Sequence, residues 1–146
     1  MHIISTEADL KALPRVAEGA IRLASKYMPS EKPPIFEILM CQWSCIIKDG
    51  TGVILYDEDK DGNIAAVLPG FIQQGENGDK YAVVWHWVSE VGNGRDMMRW
   101  FMAWAKGNGA SVLQSSCHTD TYSRRHAKLY RRLGFNIRGM VLEVAL

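Results

Sequence analysis

The sequence has few cysteines and no arrangement of them that suggests a disulfide framework. Only Cys41, Cys45 and Cys117 occur, an odd number at irregular spacing. We therefore expect free thiols that are packed in the fold, as in a protein of a reducing compartment. The cysteines and the few histidines also lie too far apart in sequence to suggest a ligand set, so we expect no bound metal.

The chain also lacks a strong charge of either sign. Lysine and arginine number 17 against 16 acidic residues, which gives a net charge of +1. This balance gives no whole-protein reason to bind nucleic acid or an anionic membrane, so neither is an expected partner. No apolar run approaches the roughly 20 residues of a spanning helix, and the first residues lack the layout of a signal peptide. A cytoplasmic location is the expectation that follows.

The chain has enough apolar sequence to fold as one domain. Its 146 residues are 47% hydrophobic, and domains commonly contain about 100–150 residues. We found no internal repeat, linker or low-complexity segment. We therefore expect a single domain over residues 1–146.

Hydrophobic periodicity predicts a mixed order of helices and strands. An opening strand precedes a helix that Pro14 kinks or divides, because proline removes a helix donor. A second helix, three antiparallel strands, and then alternating helices and strands follow. The predicted ranges are strand 2–5, helices 6–27 and 35–47, strands 53–56, 64–68 and 81–88, helix 95–106, strand 111–117, helix 123–133 and strand 137–146. The strand from 64 could continue past Pro69 to 74, and a buried strand is the alternative to the helix over 35–47, which its length favours. This order is typical of a mixed α/β or α+β domain.

The segment Gly92-Asn93-Gly94-Arg95 joins the third strand of the meander to an amphipathic helix. Glycines allow a backbone to approach a ligand closely, and free amides at a helix N-terminus favour an anion such as pyrophosphate. An ordinary glycine turn is equally consistent with this segment alone. Its spacing is neither that of a P-loop nor that of a dinucleotide fingerprint.

The segment from Tyr130 to Phe135, together with the glycine turn, resembles the GNAT superfamily of N-acetyltransferases. That family has a turn of the form (Gln/Arg)-x-x-Gly-x-(Gly/Ala), and its later helix commonly ends in Tyr, two mostly charged residues, Leu, Gly and Phe. The likeness extends over nearly the whole chain. Two positions differ, since Ser89 stands where the family has Gln or Arg and Ser123 where relatives often have Asn.

The resemblance implies a fold and a co-substrate. The expected fold is a central, mostly antiparallel twisted sheet flanked by helices and splayed between the strands before and after the helix of the glycine turn. The expected co-substrate is acetyl-coenzyme A, from which an acetyl group passes to an amine of an unidentified acceptor. The residues expected to hold coenzyme A are Trp87, Val88, Gly92, Asn93, Gly94, Arg95, Asp96 and Ser123.

Two residues are candidates for proton transfer. In relatives the tyrosine at the position of Tyr130 often protonates the departing thiolate, and a neutral phenol suits that role. Packing over the glycine cap is the alternative for Tyr130. His86 is the best single candidate for a general base, because histidine titrates near neutral pH. A histidine in the core or facing a partner remains the alternative for His86.

Two other patterns favour simpler explanations. The run Asp57-x-Asp59-x-Asp61-Gly62 imitates a calcium loop, but Leu68 stands where the bidentate Glu should be, so a hairpin turn is expected. A basic cluster on the late helix, including Lys128 and Arg131, is explained by a solvated helix face.

Two further functions remain alternatives to the enzyme. One is a GNAT-like structural or binding protein without catalysis, such as a viral particle component. The other is a toxin-like acetyltransferase acting on aminoacyl-tRNA, which would use the basic cluster. A homodimer is one of the assemblies open to the chain.

Overall fold

The computed structural model describes residues 1–29, 32–85, 87–115 and 128–136. The chain divides into two compact units, Met1–Ser116 and Cys117–Leu146. The single domain over residues 1–146 stays a prediction. No helix within the described ranges is both long and apolar enough to span a membrane.

The first helical region has two pieces, as Pro14 predicted. Strand β1, His2–Ile4, leads into a 3-10 helix over Glu7–Ala12, and helix α1 spans Leu13–Tyr27. The carboxylate of Asp9 accepts a hydrogen bond from the amide of Thr6 at 2.9 Å, which satisfies a donor at the helix start. Pro14 lies in the first turn of α1, where its missing N–H needs no partner.

Helix α2, Phe36–Lys48, confirms the helix predicted for the long apolar stretch. Its inner face carries Leu39, Trp43 and Ile47, which are buried. Cys41 and Cys45 are free thiols, but both are exposed, so the expectation that they pack inside the fold is wrong. They lie on the face of α2 that is turned away from the sheet.

The predicted meander of three antiparallel strands is confirmed. It consists of β2, Gly52–Glu58, β3, Ile64–Gln74, and β4, Lys80–Val84. The aspartate-rich run forms the hairpin between β2 and β3. There, one carboxylate oxygen of Asp59 accepts hydrogen bonds from the amides of Asp61 and Asn63, both at 2.9 Å.

The prediction of one continuous strand over residues 81–88 is wrong. The strand ends at Val84, and a short strand β5, Val88–Ser89, pairs separately with β3. Between the paired positions Gly70↔Val84 and Val67↔Val88, β3 advances three residues while the facing chain advances four, so the register shifts by one residue. The carbonyl of Pro69 in β3 accepts a hydrogen bond from the amide of Trp85. Proline has no N–H to donate, so the pairing between the strands is weaker at this point.

Helices cover both faces of the sheet in the first unit. Helix α3, Gly94–Gly107, packs through Phe101 against Gly70 of β3, where a Cβ would overlap the ring. Val67 lies three residues from Gly70, on the opposite face of the sheet. It lines a small recess together with Ala20 of α1 and Trp43 of α2.

The described strands form a mostly antiparallel sheet. Its order is β1-β2-β3-β4-β6, with β5 beside β3. Strand β6, Val112–Ser115, is parallel to β4 and pairs with it from Tyr81↔Val112 to Val84↔Ser115. The chain is therefore a mixed α+β fold with an open sheet between helices, as predicted. The predicted splay between β4 and β6 is not tested, because the residues that follow Ser115 lie outside the described part of the chain.

The described part of the second unit is the end of the late helix and its cap. Residues 128–132 are helical, and Gly134 follows with a φ of +89°. The amide of Phe135 donates to the carbonyl of Tyr130 at 3.0 Å, which closes the helix end. The predicted strand 137–146 lies outside the described residues.

Candidate functional site

The turn between β5 and α3 has a backbone that alternates in hand. Gly92 has a φ of +74°, which only glycine adopts without strain, and Asn93 follows with φ −91° and ψ 4°. Successive residues of opposite hand direct their amides toward one side, an arrangement that binds anions. This turn therefore has the backbone form of an anion-binding site.

The backbone amides of the turn and of the first residues of α3 form a series of donors. Within the described part of the chain, no atom accepts a hydrogen bond from the amides of residues 91–95. The first amide with a partner is that of Asp96, which donates to the carbonyl of Asn93 at 2.9 Å. Free donors at a helix N-terminus, where the helix dipole is positive, favour a phosphate.

Gly94 is required for packing as well as for the turn. It is buried, and a Cβ at this position would lie 3.1 Å from Cζ2 of Trp87 and 3.4 Å from Cβ of Ser89. The indole of Trp87, itself buried, thus forms a floor beneath the first turn of α3. A side chain here would push the helix start away from β5.

A chain of side-chain hydrogen bonds joins the turn to β2. The hydroxyl of Ser89 donates to Oδ1 of Asn93 at 2.7 Å, and Nδ2 of Asn93 donates to Oδ2 of Asp57 at 2.7 Å. We call these three residues the Ser89–Asn93–Asp57 relay. It occupies both ends of the Asn93 amide group, so that this side chain makes no capping bond to α3.

Asp57 is held as a carboxylate. Burial by itself would raise its pKa, but hydrogen bonds from the amide of Glu58, the amino group of Met1 and the side chain of Asn93 outweigh burial and lower the pKa. The acceptor end of the relay therefore stays ionised at neutral pH.

A second contact fastens the start of the turn to the end of α1. One carboxylate oxygen of Glu90 accepts hydrogen bonds from the ammonium of Lys26 and, at 2.6 Å, from the hydroxyl of Tyr27. The backbone amide of Glu90 donates to the carbonyl of Ala65 at 2.8 Å. We call the side-chain part of this contact the Glu90 clamp.

A cavity of about 270 Å³ opens between the end of α1 and the start of α2. Its wall is mainly apolar, and Ile35 and Ile38 at its mouth are 58% and 50% exposed. Its lining residues are Ala24, Met28, Lys32, Pro33, Pro34, Ile35, Ile38, Leu39 and Gln42.

A smaller recess lies beneath this cavity and shares part of its wall. It measures about 10 Å³, roughly the space of one water molecule, and reaches Val88 of β5. Trp43 also lines it, and the buried Nε1 of this indole has no hydrogen-bond partner among the described residues. The two spaces therefore share a wall between α1 and α2, and the smaller one borders the strand that precedes the turn.

The predicted cofactor residues of the first unit lie together. One of them directly precedes β5, and the others belong to β5, the turn or the start of α3. In order they are Trp87, Val88, Gly92, Asn93, Gly94, Arg95 and Asp96. Trp87 and Val88 are buried, whereas the side chains of Arg95 and Asp96 are exposed. His86 and Ser123, the candidate base and the eighth cofactor residue, lie outside the described residues.

Tyr130 belongs to the second unit. It is 8% exposed and packs edge-on against Phe135, with 4.9 Å between ring centroids. Lys128, Arg131 and Arg132, the described members of the basic cluster, are exposed. Nothing in the described ranges groups three or more histidine, cysteine or acidic side chains as a metal site would.

Sequence reasoning did not find the side chains that hold the turn. Asp57 was noticed only as part of a hairpin, and Lys26 and Glu90 were not singled out. Asp57 and Asn93 are 36 residues apart, and Lys26 and Glu90 are 64 apart. No local pattern identifies such pairs, because they meet only when the sheet has formed.

Solved structures match this fold over nearly the whole chain. An aminoglycoside acetyltransferase from an uncultured soil metagenomic sample gives a TM-score of 0.72 at 11% identity, over 99% of this chain and 96% of that one. Glucosamine-6-phosphate N-acetyltransferase from Arabidopsis thaliana gives 0.68 at 18% identity, over 99% and 97%. A transcriptional regulator from Bacillus halodurans C-125 gives 0.68 at 18% identity, over 99% of both chains.

Sequence comparison adds nothing to these structural matches. No family model matches the chain, and no curated protein matches it significantly. Identities of this size show a shared fold and leave the substrate open. Because solved acetyltransferases match it from end to end, the chain has the same fold as these enzymes, which is the fold predicted from its sequence.

Proposed function

We propose that the protein is an N-acetyltransferase that moves an acetyl group from acetyl-coenzyme A to an amine. The observation that carries this proposal is the run of free amides over residues 91–95 at the start of α3, in a chain with an acetyltransferase fold. Such a run can bind the pyrophosphate of coenzyme A without any specific side chain. The residues of the turn fit this group, since Gly92 carries no side chain and Gly94 leaves α3 close to β5.

The remaining contacts to coenzyme A follow from the surroundings of the turn. The exposed guanidinium of Arg95 supplies a positive charge beside the amides. The backbone at Trp87 and Val88 is the proposed support for the pantetheine arm, because it leads directly into the turn, and β5 is held in place by its pairing with β3. Ser123 and Asp96 complete the proposed cofactor residues.

Acetyl-coenzyme A supplies the acetyl group as a thioester, and its transfer to an amine releases the thiol. Tyr130 is the proposed proton donor to the sulfur, because a phenol keeps its proton at pH 7 until a strong base needs it. His86 is the proposed base that accepts a proton from the amine. Positioning of the two substrates contributes most of the rate in this scheme.

The acceptor is a small amine that enters the cavity between α1 and α2. A volume of about 270 Å³ lies at the lower limit of small-molecule pockets, so that a large sugar would not fit within it. The described wall is apolar apart from Lys32 and Gln42 and contains no carboxylate. A polyamine or aminoglycoside would find no counter-charge among the described residues of the wall, whereas an apolar amine with an anionic group would meet Lys32.

Calorimetry with coenzyme A tests this function at the turn. Arg95→Pro removes one free amide, and proline is tolerated in the first turn of a helix. The matched control Arg95→Ala keeps that amide and removes only the charge. We expect Arg95→Pro to bind at least about tenfold more weakly than Arg95→Ala, on the scale of a hydrogen bond to a charged group.

Two outcomes would oppose the proposal. Wild-type protein that gives no heat with millimolar coenzyme A would remove the enzyme and leave a binding or structural protein of the same fold. Equal binding by Arg95→Pro and Arg95→Ala would show that the amides of the turn do not hold the cofactor.

A further inference from the structure

The conformation of Asn93 differs from that of an ordinary helix N-cap. N-cap residues usually have an extended backbone, and their side-chain oxygen accepts an amide of the first turn. Asn93 instead has φ −91° and ψ 4°, and its side chain makes no capping bond. A residue that is well suited to capping is thus kept from doing so.

The Ser89–Asn93–Asp57 relay accounts for this difference. Oδ1 of Asn93, the atom that would cap the helix, accepts the hydroxyl of Ser89, while Nδ2 is bound by the carboxylate of Asp57. Both bonds are 2.7 Å long, and Asp57 of β2 and Ser89 of β5 are each paired with Ala66 of β3. The relay fixes the rotation of the Asn93 amide and also its backbone.

Capping by Asn93 would compete directly with a ligand. In the extended conformation its oxygen would accept the amide of Arg95 or Asp96, as N-cap side chains do. The amide of Arg95 is one of the five free donors of the turn. The backbone change would also remove the alternation of hand between Gly92 and Asn93 that directs successive amides to one side.

We propose that Asp57 is a positioning residue that holds Asn93 away from the N-terminus of α3 and thereby keeps the amides of the turn open for the phosphates of coenzyme A. This inference rests on the proposed function. The proposal also gives a physical role to Ser89, which occupies the position where the GNAT turn has Gln or Arg. In this chain that position acts through Asn93.

A four-protein comparison tests the proposal with coenzyme A as the probe. The proteins are wild type, Asp57→Ala, Asn93→Gly and the double variant. We expect Asp57→Ala to weaken binding by about tenfold, because the freed Asn93 then caps the helix. In the Asn93→Gly background, where no side chain can cap, the same change should alter binding by less than about twofold. A similar loss in both backgrounds would overturn the proposal.

Hydrogen exchange distinguishes positioning from simple stabilisation. If Asn93 caps the helix in Asp57→Ala, the amide of Arg95 or Asp96 becomes more protected in the absence of ligand. If the relay only stabilises the turn, protection at both amides falls and the loss of affinity follows the loss of stability in urea. Weaker binding without added protection would therefore contradict the proposal.

The conservative variant Asp57→Asn completes the test. Its side-chain oxygen can still accept the bond from Asn93, so most of the affinity lost in Asp57→Ala should return. Wild-type protein that does not bind coenzyme A would refute the proposed function, while the exchange measurement would still decide whether Asp57 restrains Asn93.

Discussion

The turn before α3 and the cavity between α1 and α2 differ in what they present to a ligand, backbone in one and side chains in the other. The turn presents backbone amides, and the relay holds its shape through two hydrogen bonds of 2.7 Å. The cavity presents side chains, most of them apolar, around an opening with exposed Ile35 and Ile38. The first region therefore depends on backbone conformation and the second on side-chain identity.

This difference matters for what each region can recognise. Every residue except proline carries a backbone N–H, so a site made of amides survives extensive change of sequence. The fold matches solved acetyltransferases at 11% to 18% identity, a range in which few side chains are shared. Under the proposed function, the turn binds coenzyme A, and the cavity determines which acceptor amine is used.

The largest expected effect concerns a residue that belongs to neither region. If the turn only binds and the cavity only selects, the proton for the leaving thiol must come from elsewhere. Tyr130→Phe should slow acetyl transfer by about 10²-fold while the affinity for coenzyme A stays the same, since acid catalysis commonly contributes that much. Thiol release and calorimetry measure the two quantities. An unchanged rate would remove Tyr130 from the chemistry and leave it as packing against Phe135.

A smaller effect is expected when the charge of the cavity is reversed. Wild type should acetylate 6-aminohexanoate better than hexylamine and both better than spermidine, because Lys32 attracts an anion and the described wall has no carboxylate. Lys32→Glu should lower kcat/KM for 6-aminohexanoate by about tenfold. The change removes an attractive charge and adds a repulsive one, and each contributes on the scale of an exposed ion pair. Thiol release with each amine provides the measurement.

Lys60→Glu is the matched control for this change. Lys60 is exposed in the hairpin between β2 and β3 and does not line the cavity. The two variants carry the same net charge, so a general electrostatic effect would alter both alike. Equal selectivity of the two variants would show that the acceptor binds elsewhere.

The glycine turn could be predicted from sequence because its requirements are local. Gly92 needs a positive φ, and Gly94 must leave room for Trp87, so the residue type itself reveals the constraint. The helices and the meander were likewise visible as periodic patterns. Pro14 correctly divided the first helical region, since proline acts within a single turn.

The relay, the Glu90 clamp and the end of β4 at Val84 depend on the register of the sheet. Pro69 was a visible signal for the interrupted strand, but its meaning needs the knowledge that Trp85 lies opposite. Exposure of Cys41 and Cys45 was missed because α2 is apolar on both faces, which makes its buried side hard to identify. The roles of Tyr130, His86 and Ser123 stay predictions.

The smallest expected effect concerns the Glu90 clamp, the contact that links the two regions. The Lys26 ammonium and the Tyr27 hydroxyl lower the pKa of Glu90 below its usual value of 4.5, although burial opposes them. A carboxyl group whose pKa is lowered in the folded state stabilises the fold above its unfolded pKa, and this contribution is lost as the pH falls through the lowered value. Glu90→Gln should therefore cost about 1 kcal/mol at pH 7 and almost nothing well below pH 4.

Urea unfolding at both pH values measures this difference, with Glu76→Gln as the control. Glu76 lies in the exposed turn after β3 and has no ion pair or side-chain hydrogen bond within the described ranges. Its replacement should leave the urea midpoint nearly unchanged at either pH. If Glu90→Gln costs the same at both, the clamp is not electrostatic. If coenzyme A affinity falls together with stability at pH 7 alone, the end of α1 and the turn are coupled through this carboxylate, and the cavity and the cofactor site are not independent.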